Sequence, residues 1–120
     1  MNVNEVILYV EDQARAAAFY GAVLGLEPNL DVPGMTEFDL GGVTLGLMPG
    51  VDMTELVPGV EVGAGQRCEL YLRRPDAEAM LARVPQAGGR VLAPLEPRPW
   101  GDIAGYALDP DGHVVAIARL

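Results

Sequence analysis

The sequence predicts an α+β fold in a single domain, built from two βαβββ modules paired into an open, curved barrel-like sheet around a cavity. Three observations predict it. A strand-like run leading into a capped amphipathic stretch occurs twice, at residues 5–24 and 67–87. Each occurrence is followed by apolar segments broken at glycine turns, and the LYV of residues 8–10 recurs as LYL at 70–72. Such duplication is structural, because one half alone would leave the inner face of its sheet uncovered.

In the first module, EVILYV at 5–10 is rich in β-branched and apolar residues and predicts a strand. Asp12 is a good N-cap for a helix over 13–24. Ala16, Phe19, Tyr20, Val23 and Leu24 recur there at three- and four-residue spacing, a single apolar stripe, and Gly25 stands where a left-handed cap closes the helix. A short strand follows at 27–31, confined to a sheet edge by Pro28 and Pro33. Alternation at 35–40, the Gly41-Gly42 turn and the run at 43–48 predict a hairpin. Residues 49–66 contain two prolines, four glycines and no clean periodicity, so they form the connector.

The second module repeats the plan. RCELYL at 67–72 predicts a strand; Pro75 and Asp76 open a helix over 76–87 that carries Ala77, Met80, Leu81 and Val84; Gly88-Gly89 ends it. Strands follow at 89–93, 103–108 and 114–119, the last two separated by the DPDG turn at 109–112. The expected organisation is module one at 1–48, a linker at 49–66 and module two at 67–120.

Composition narrows the function. Half the residues are hydrophobic and 21% charged, which excludes a disordered chain, and no apolar run reaches the roughly 20 residues that span a bilayer. A net charge of −9 with only eight basic residues disfavours nucleic acid and anionic membranes as partners and favours a cationic ligand, while also keeping the surface soluble. Cys68 is the single cysteine, so there is neither an intrachain disulfide nor a paired-cysteine zinc motif, and its alternating context reads as a small buried hydrophobe. The N-terminal MNVNEV carries no export pattern, and the expected location is cytoplasmic.

Two stretches carry a family resemblance: VILYVEDQARAAAFYGAVLGLEP in the first half, and RPWGDIAGYALDPDGHVVAIARL in the second. Together they resemble the vicinal oxygen chelate superfamily of glyoxalases, bleomycin-resistance proteins and dioxygenases, in its strand, acidic helix cap, Phe-Tyr pair, Leu-Gly stop, Trp-Gly loop and Asp-Pro-Asp-Gly turn. The resemblance implies βαβββ modules around a ligand site and, in the metalloenzymes, a divalent ion held by one residue from the first and one from the last strand of each module. Those four are usually histidine or glutamate. Carried over by register, seven residues before Asp12 gives Glu5, and seven before Arg74, taken as its counterpart, gives Arg67. Four residues after the glycine of each turn come Gly46 and Ala116, neither of which has a ligating side chain. One histidine and one cysteine do not make a zinc, nickel or iron site, so neither metal nor other cofactor is expected. A weak magnesium or manganese site of carboxylates and water stays open.

Period-two alternation sends Glu5, Ile7 and Tyr9 inward from module one and Arg67, Glu69 and Tyr71 inward from module two. Glu5 and Arg67 read either as ligand contacts or as a structural ion pair, and Glu69 as an unpaired acid. Trp100, beside a glycine, suits a cover over a flat or cationic ligand at the cavity mouth, or a loop anchor. His113 reads as a hydrogen-bonded turn residue. The expected ligand-binding set is Glu5, Tyr9, Arg67, Glu69, Tyr71 and Trp100. The function expected from these residues is binding of a small aromatic or cationic molecule between the modules, of the antibiotic-sequestering type, in a homodimer. The alternatives are a lyase or isomerase that uses an inward carboxylate without metal, and a divalent-metal glyoxalase- or dioxygenase-type enzyme.

Overall fold

The structure, a computed structural model, describes residues 3–120. Eight strands and three helices follow in the order β1 (Asn4–Val10), α1 (Gln13–Leu24), β2 (Leu30–Val32), β3 (Met35–Asp39), β4 (Val43–Pro49), α2 (Gly50–Leu56), β5 (Glu69–Arg74), α3 (Ala77–Arg83), β6 (Arg90–Pro97), β7 (Ile103–Leu108) and β8 (Val114–Arg119). They form two four-stranded mixed sheets ordered β1-β4-β3-β2 and β5-β8-β7-β6. The duplication is therefore explicit: in each sheet the first strand lies parallel to the last, and the remaining neighbours are antiparallel. Both sheets are open, and neither closes into a barrel by itself.

Helix α1 forms for the reasons its sequence supplies. Asp12 has extended backbone and its carboxylate accepts the Arg15 N–H at 3.0 Å. Gly25 adopts φ 67°, the left-handed conformation that side chains with a Cβ resist, and its N–H closes the helix on the Gly21 carbonyl. The five stripe residues Ala16, Phe19, Tyr20, Val23 and Leu24 are all buried, with Phe19 and Tyr20 edge to face at 4.9 Å. Under α1 lie Leu8 and Val10 of β1, Phe38 of β3, and Leu45 and Leu47 of β4. In module two α3 covers Leu72, Val115 and Ile117, and because α1 packs on α3 the two halves share one continuous core. Arg83 of α3 donates to the Val23 carbonyl at 2.9 Å, tying the helices at their ends.

Several boundaries differ from those expected. The connector contains α2, a seven-residue helix that buries only Gly50 and so shows no apolar stripe in the sequence. Strand β5 starts at Glu69, two residues later than expected, which leaves Cys68 exposed rather than buried. Helix α3 ends at Arg83 and turns through Gly88. Strand β6 runs to Pro97, with irregular pairing between Val91 and Glu96 that breaks the alternation a longer strand would show.

Candidate functional site between and upon the two sheets

Alternation decides which face each side chain takes. Leu8 and Val10 go under α1, so Glu5, Ile7 and Tyr9 take the opposite, open face of sheet one; Leu72 goes under α3, so Glu69, Tyr71 and Arg73 take the open face of sheet two. Strand pairing then fixes the equivalence of the halves. Glu5 lies opposite Thr44, two residues before Gly46, and Glu69 lies opposite Val114, two residues before Ala116. The counterpart of Glu5 is accordingly Glu69, and Arg67 is displaced: it precedes β5, is exposed, and makes no ion pair with Glu5 among the described residues. The helix starts agree, since Asp12 and Asp76 both precede their helices directly.

On the open face of sheet one, Glu5 bends over Gly46. A Cβ on Gly46 would overlap the Glu5 carboxylate and come within 3.1 Å of Ile7 and 3.2 Å of the Met35 sulfur. Loss of water raises the Glu5 pKa, and so do the hydrogen bond that its protonated carboxyl donates to Glu37 and the like charge of that neighbour. The four family ligand positions thus hold Glu5, Gly46, Glu69 and Ala116: two carboxylates, one already shared with Glu37, and two positions without a donor. Among the described residues no group of three or more histidine, cysteine, aspartate or glutamate side chains is placed to hold an ion. These residues do not fit the family's metal.

The open face of sheet two gathers a second cluster. The Tyr71 hydroxyl donates to Asp102 Oδ2 at 2.5 Å and accepts from Trp100 Nε1 at 2.9 Å, while Arg73 donates to the same carboxylate oxygen at 3.1 Å and lies over the Tyr71 ring at 4.8 Å. The bond from Tyr71 holds Asp102 below the usual carboxylate range, and the same bond raises the Tyr71 hydroxyl. Trp100 is 56% exposed, a flat ring held by one edge.

The principal cavity lies elsewhere. It measures about 580 Å³ and opens where the end of β1, helix α2, residues 62–65 of the connector and the β7–β8 turn converge. Tyr9, Glu11, Thr54, Asp111 and His113 supply its polar or aromatic lining, and valines, glycines and Ala64 supply the rest; no arginine lines it. Its wall is braced by a buried carboxylate. Asp109 Oδ2 accepts from the Tyr20 hydroxyl of α1 at 2.7 Å and sits 2.8 Å from His113 Nδ1, and Oδ1 accepts the N–H groups of Asp111 and His113, each at 2.9 Å. Burial alone would raise Asp109, but the bonds from His113 and Tyr20 outweigh it and its pKa is lowered. The bond to Asp109 in turn raises His113, and Tyr20 is raised by burial first and by Asp109 second. Nδ1 being engaged, His113 presents Nε2.

The expected site residues are therefore dispersed. Tyr9 lines the cavity; Glu69 lines a small crevice with Cys68, Val6, Leu70 and His113; Tyr71 and Trp100 are joined on sheet two, away from the cavity mouth; Glu5 lies on sheet one, and Arg67 at neither. His113 has the expected hydrogen-bonded turn role, and lies between the cavity and the crevice as well. Missed were Glu11, Asp111, Asp102 and the connector lining. The four-residue spacing of Asp109 and His113 across the DPDG turn was the available signal for the brace.

Comparison with known proteins agrees with this architecture. The family model described as Glyoxalase/Bleomycin resistance protein/Dioxygenase superfamily matches residues 2–117. The chain belongs to that superfamily. A glyoxalase-related enzyme from Fulvimarina pelagi superposes with a TM-score of 0.86 at 28% identity, covering 99% of this chain and 88% of that one. A lactoylglutathione lyase from Agrobacterium tumefaciens superposes at 0.75 with 25% identity, covering 98% and 92%. TioX from Micromonospora sp. ML1, at 23% identity and 0.75 over 99% and 98%, shares the fold. Among curated proteins, a glutamyl-tRNA reductase from Sorangium cellulosum is 40% identical over 73 residues, which is 61% of this chain and 12% of that protein. The superfamily chain described here thus matches only a small part of that protein's length.

Proposed function

We propose that the chain binds a small aromatic or cationic molecule in the inter-module cavity and does so without the superfamily's metal, in the manner of an antibiotic-sequestering member. The observation that carries the reading is the cavity itself: about 580 Å³, with a tyrosine, several aliphatic and glycine surfaces, two acidic residues, one histidine and no arginine in its lining. That volume lies within the roughly 300–1,000 Å³ of small-molecule sites, and the lining matches their usual mix of apolar surface with a few polar groups. The chain's charge of −9 adds attraction for cations. The protein acts as a homodimer in this reading: the open faces of both sheets are left for a second copy to cover, that of sheet one carrying Glu5 and Glu37 and that of sheet two Arg73 and Arg98 beside Glu69 and Asp102.

The test is a thermal-shift screen of chelator-treated protein against aromatic antibiotics, arylalkyl amines and their neutral isosteres. The expected result is a saturable rise in melting temperature that chelation does not abolish and that Ala64→Phe, which fills the cavity from the connector, removes. No hit, or a hit indifferent to Ala64→Phe, rejects the cavity; a hit that disappears on chelation rejects the metal-free part. Light scattering checks the dimer. One observation favours a second reading as a metal-independent lyase or isomerase: the raised Glu5 carboxyl paired with Glu37 is the kind of group that serves as a general acid or base. Turnover abolished by Glu5→Gln, with binding retained, would support that reading over the first.

A further inference from the structure

We propose that the inter-module cavity selects ligands carrying a protonated amine, whose N–H donates to His113 Nε2 while Glu11 and Asp111 balance its charge. The inference rests on the cavity-binding reading above and adds the ligand class and its dependence on pH. The geometry begins with the tautomer. Asp109 is buried under the turn, where it receives two backbone N–H groups and the Tyr20 hydroxyl; a neutral His113 must then carry its proton on Nδ1 to meet the same carboxylate at 2.8 Å. Nε2 is left as an acceptor, and it makes no hydrogen bond among the described residues. The His113 side chain is 26% exposed and lines the cavity, so this lone pair is an acceptor fixed in place on a wall that also carries Glu11, Thr54 and Asp111.

Charge points the same way. Glu11 and Asp111 line the cavity, and Asp111 Oδ2, buried behind that lining, has no hydrogen-bond partner among the described residues. Arg15 reaches Asp111 Oδ1 at 3.4 Å from the outer side and offsets part of this charge without entering the lining. A carboxylate ligand would meet two acids and a lone pair; a neutral ligand would leave the acids uncompensated; an ammonium with a short aromatic or aliphatic body satisfies both the acceptors and the Tyr9 and valine surfaces.

Protonation of His113 removes the acceptor and adds a like charge, so amine binding weakens as pH falls through the His113 titration. The groups that face His113 and set that titration are Asp109 and Asp111 on its own turn, Tyr20 of α1 through Asp109, Tyr9 and Glu11 at the end of β1, and Glu69 and Cys68 across the crevice. By linkage, a bound ammonium must lower the His113 pKa by the same coupling.

This is the chain's only histidine, which makes the test direct. Long-range nitrogen–proton NMR of imidazole-labelled protein reads both ring nitrogens during titration with 2-phenylethylamine and, separately, with 2-phenylethanol. The expected results are a shift of the Nε2 resonance with amine, a downward move of the His113 titration, and about tenfold or greater preference for the amine over the alcohol at about pH 8, reduced at about pH 5. Glu11→Gln, an exposed position outside the Asp109 brace, should cut amine affinity severalfold and leave the alcohol unchanged. Equal affinity for both probes with Nε2 unmoved overturns the inference and leaves cavity binding standing. Failure of both probes to bind, or binding of both that survives Ala64→Phe, overturns the inference together with the reading beneath it.

Discussion

Replacing Tyr20 with phenylalanine removes a single hydroxyl from the most buried polar contact between the halves. The ring stays: Phe19, Val23 and Phe38 surround the same core, and Tyr20 is fully buried. What is lost is a hydrogen bond to a charged acceptor at 2.7 Å, worth about 1.5–3 kcal/mol, and the remaining bonds of Asp109 to His113 and two backbone N–H groups keep its carboxylate from being stranded. For a domain of this size each kcal/mol moves the melting temperature by roughly 3–5 °C, so the expected fall is roughly 5–15 °C. Denaturant unfolding and calorimetry near neutral pH measure it. The hydroxyl also draws negative charge from Asp109, so Tyr20→Phe should raise the His113 pKa further, whereas Asp109→Asn should lower it. His113 is raised above its ordinary 6.5 in the folded state, so its contribution to stability is fully present below 6.5 and is lost as pH climbs through the folded value. Asp109 is depressed below 3.8, and its contribution is present above 3.8 and lost as pH falls through the lower folded value. The parent should therefore be steadiest between these two titrations. A Tyr20→Phe loss under about 0.5 kcal/mol, with an unmoved His113 titration, would refute this account of the brace.

Two other substitutions probe module one at separate places. Gly46→Ala should cost roughly 1 kcal/mol, since its methyl meets flexible side-chain ends rather than backbone, and it should push Glu5 off Glu37 and return the Glu5 pKa toward its ordinary value, as carboxylate NMR would read. Gly25→Ala, at φ 67°, should destabilise by about 1 kcal/mol in urea unfolding without altering the His113 titration.

Module architecture was legible because its signals are local. The α1 stripe, its Asp12 cap and its Gly25 stop are each written within a few residues, and all of them hold in the structure. Helix α2 was not legible: GVDMTEL buries only Gly50, so no stripe advertises it, and it is held by packing on β4 and β1. Matching LYV with LYL pairs Glu5 with Arg67, whereas matching Asp12 with Asp76 pairs it with Glu69. A two-residue slip keeps every side chain on its proper face, so alternation could not expose the error, and only the strand register did. The cavity was illegible for a different reason. Its lining comes from irregular connector backbone and a turn, and Tyr20 meets Asp109 across 89 residues of chain.

The brace and the cavity share His113, and that sharing makes a prediction neither makes alone. Tyr20 does not line the cavity, yet its hydroxyl bonds the oxygen that faces His113 Nδ1. If the imidazole is the ligand's acceptor, its orientation depends on Asp109 holding still, and among the described residues Tyr20 is the module-one side chain that bonds Asp109. Tyr20→Phe should therefore weaken 2-phenylethylamine severalfold at about pH 8, through a looser ring and a higher His113 pKa that depletes the neutral form. The two contributions separate by pH. Depletion disappears once pH is well above the His113 titration, whereas misorientation persists there. Titrations at about pH 7 and about pH 9 on parent and variant would divide them, and unchanged amine affinity at both, in a variant destabilised as above, would mean that the brace serves stability only.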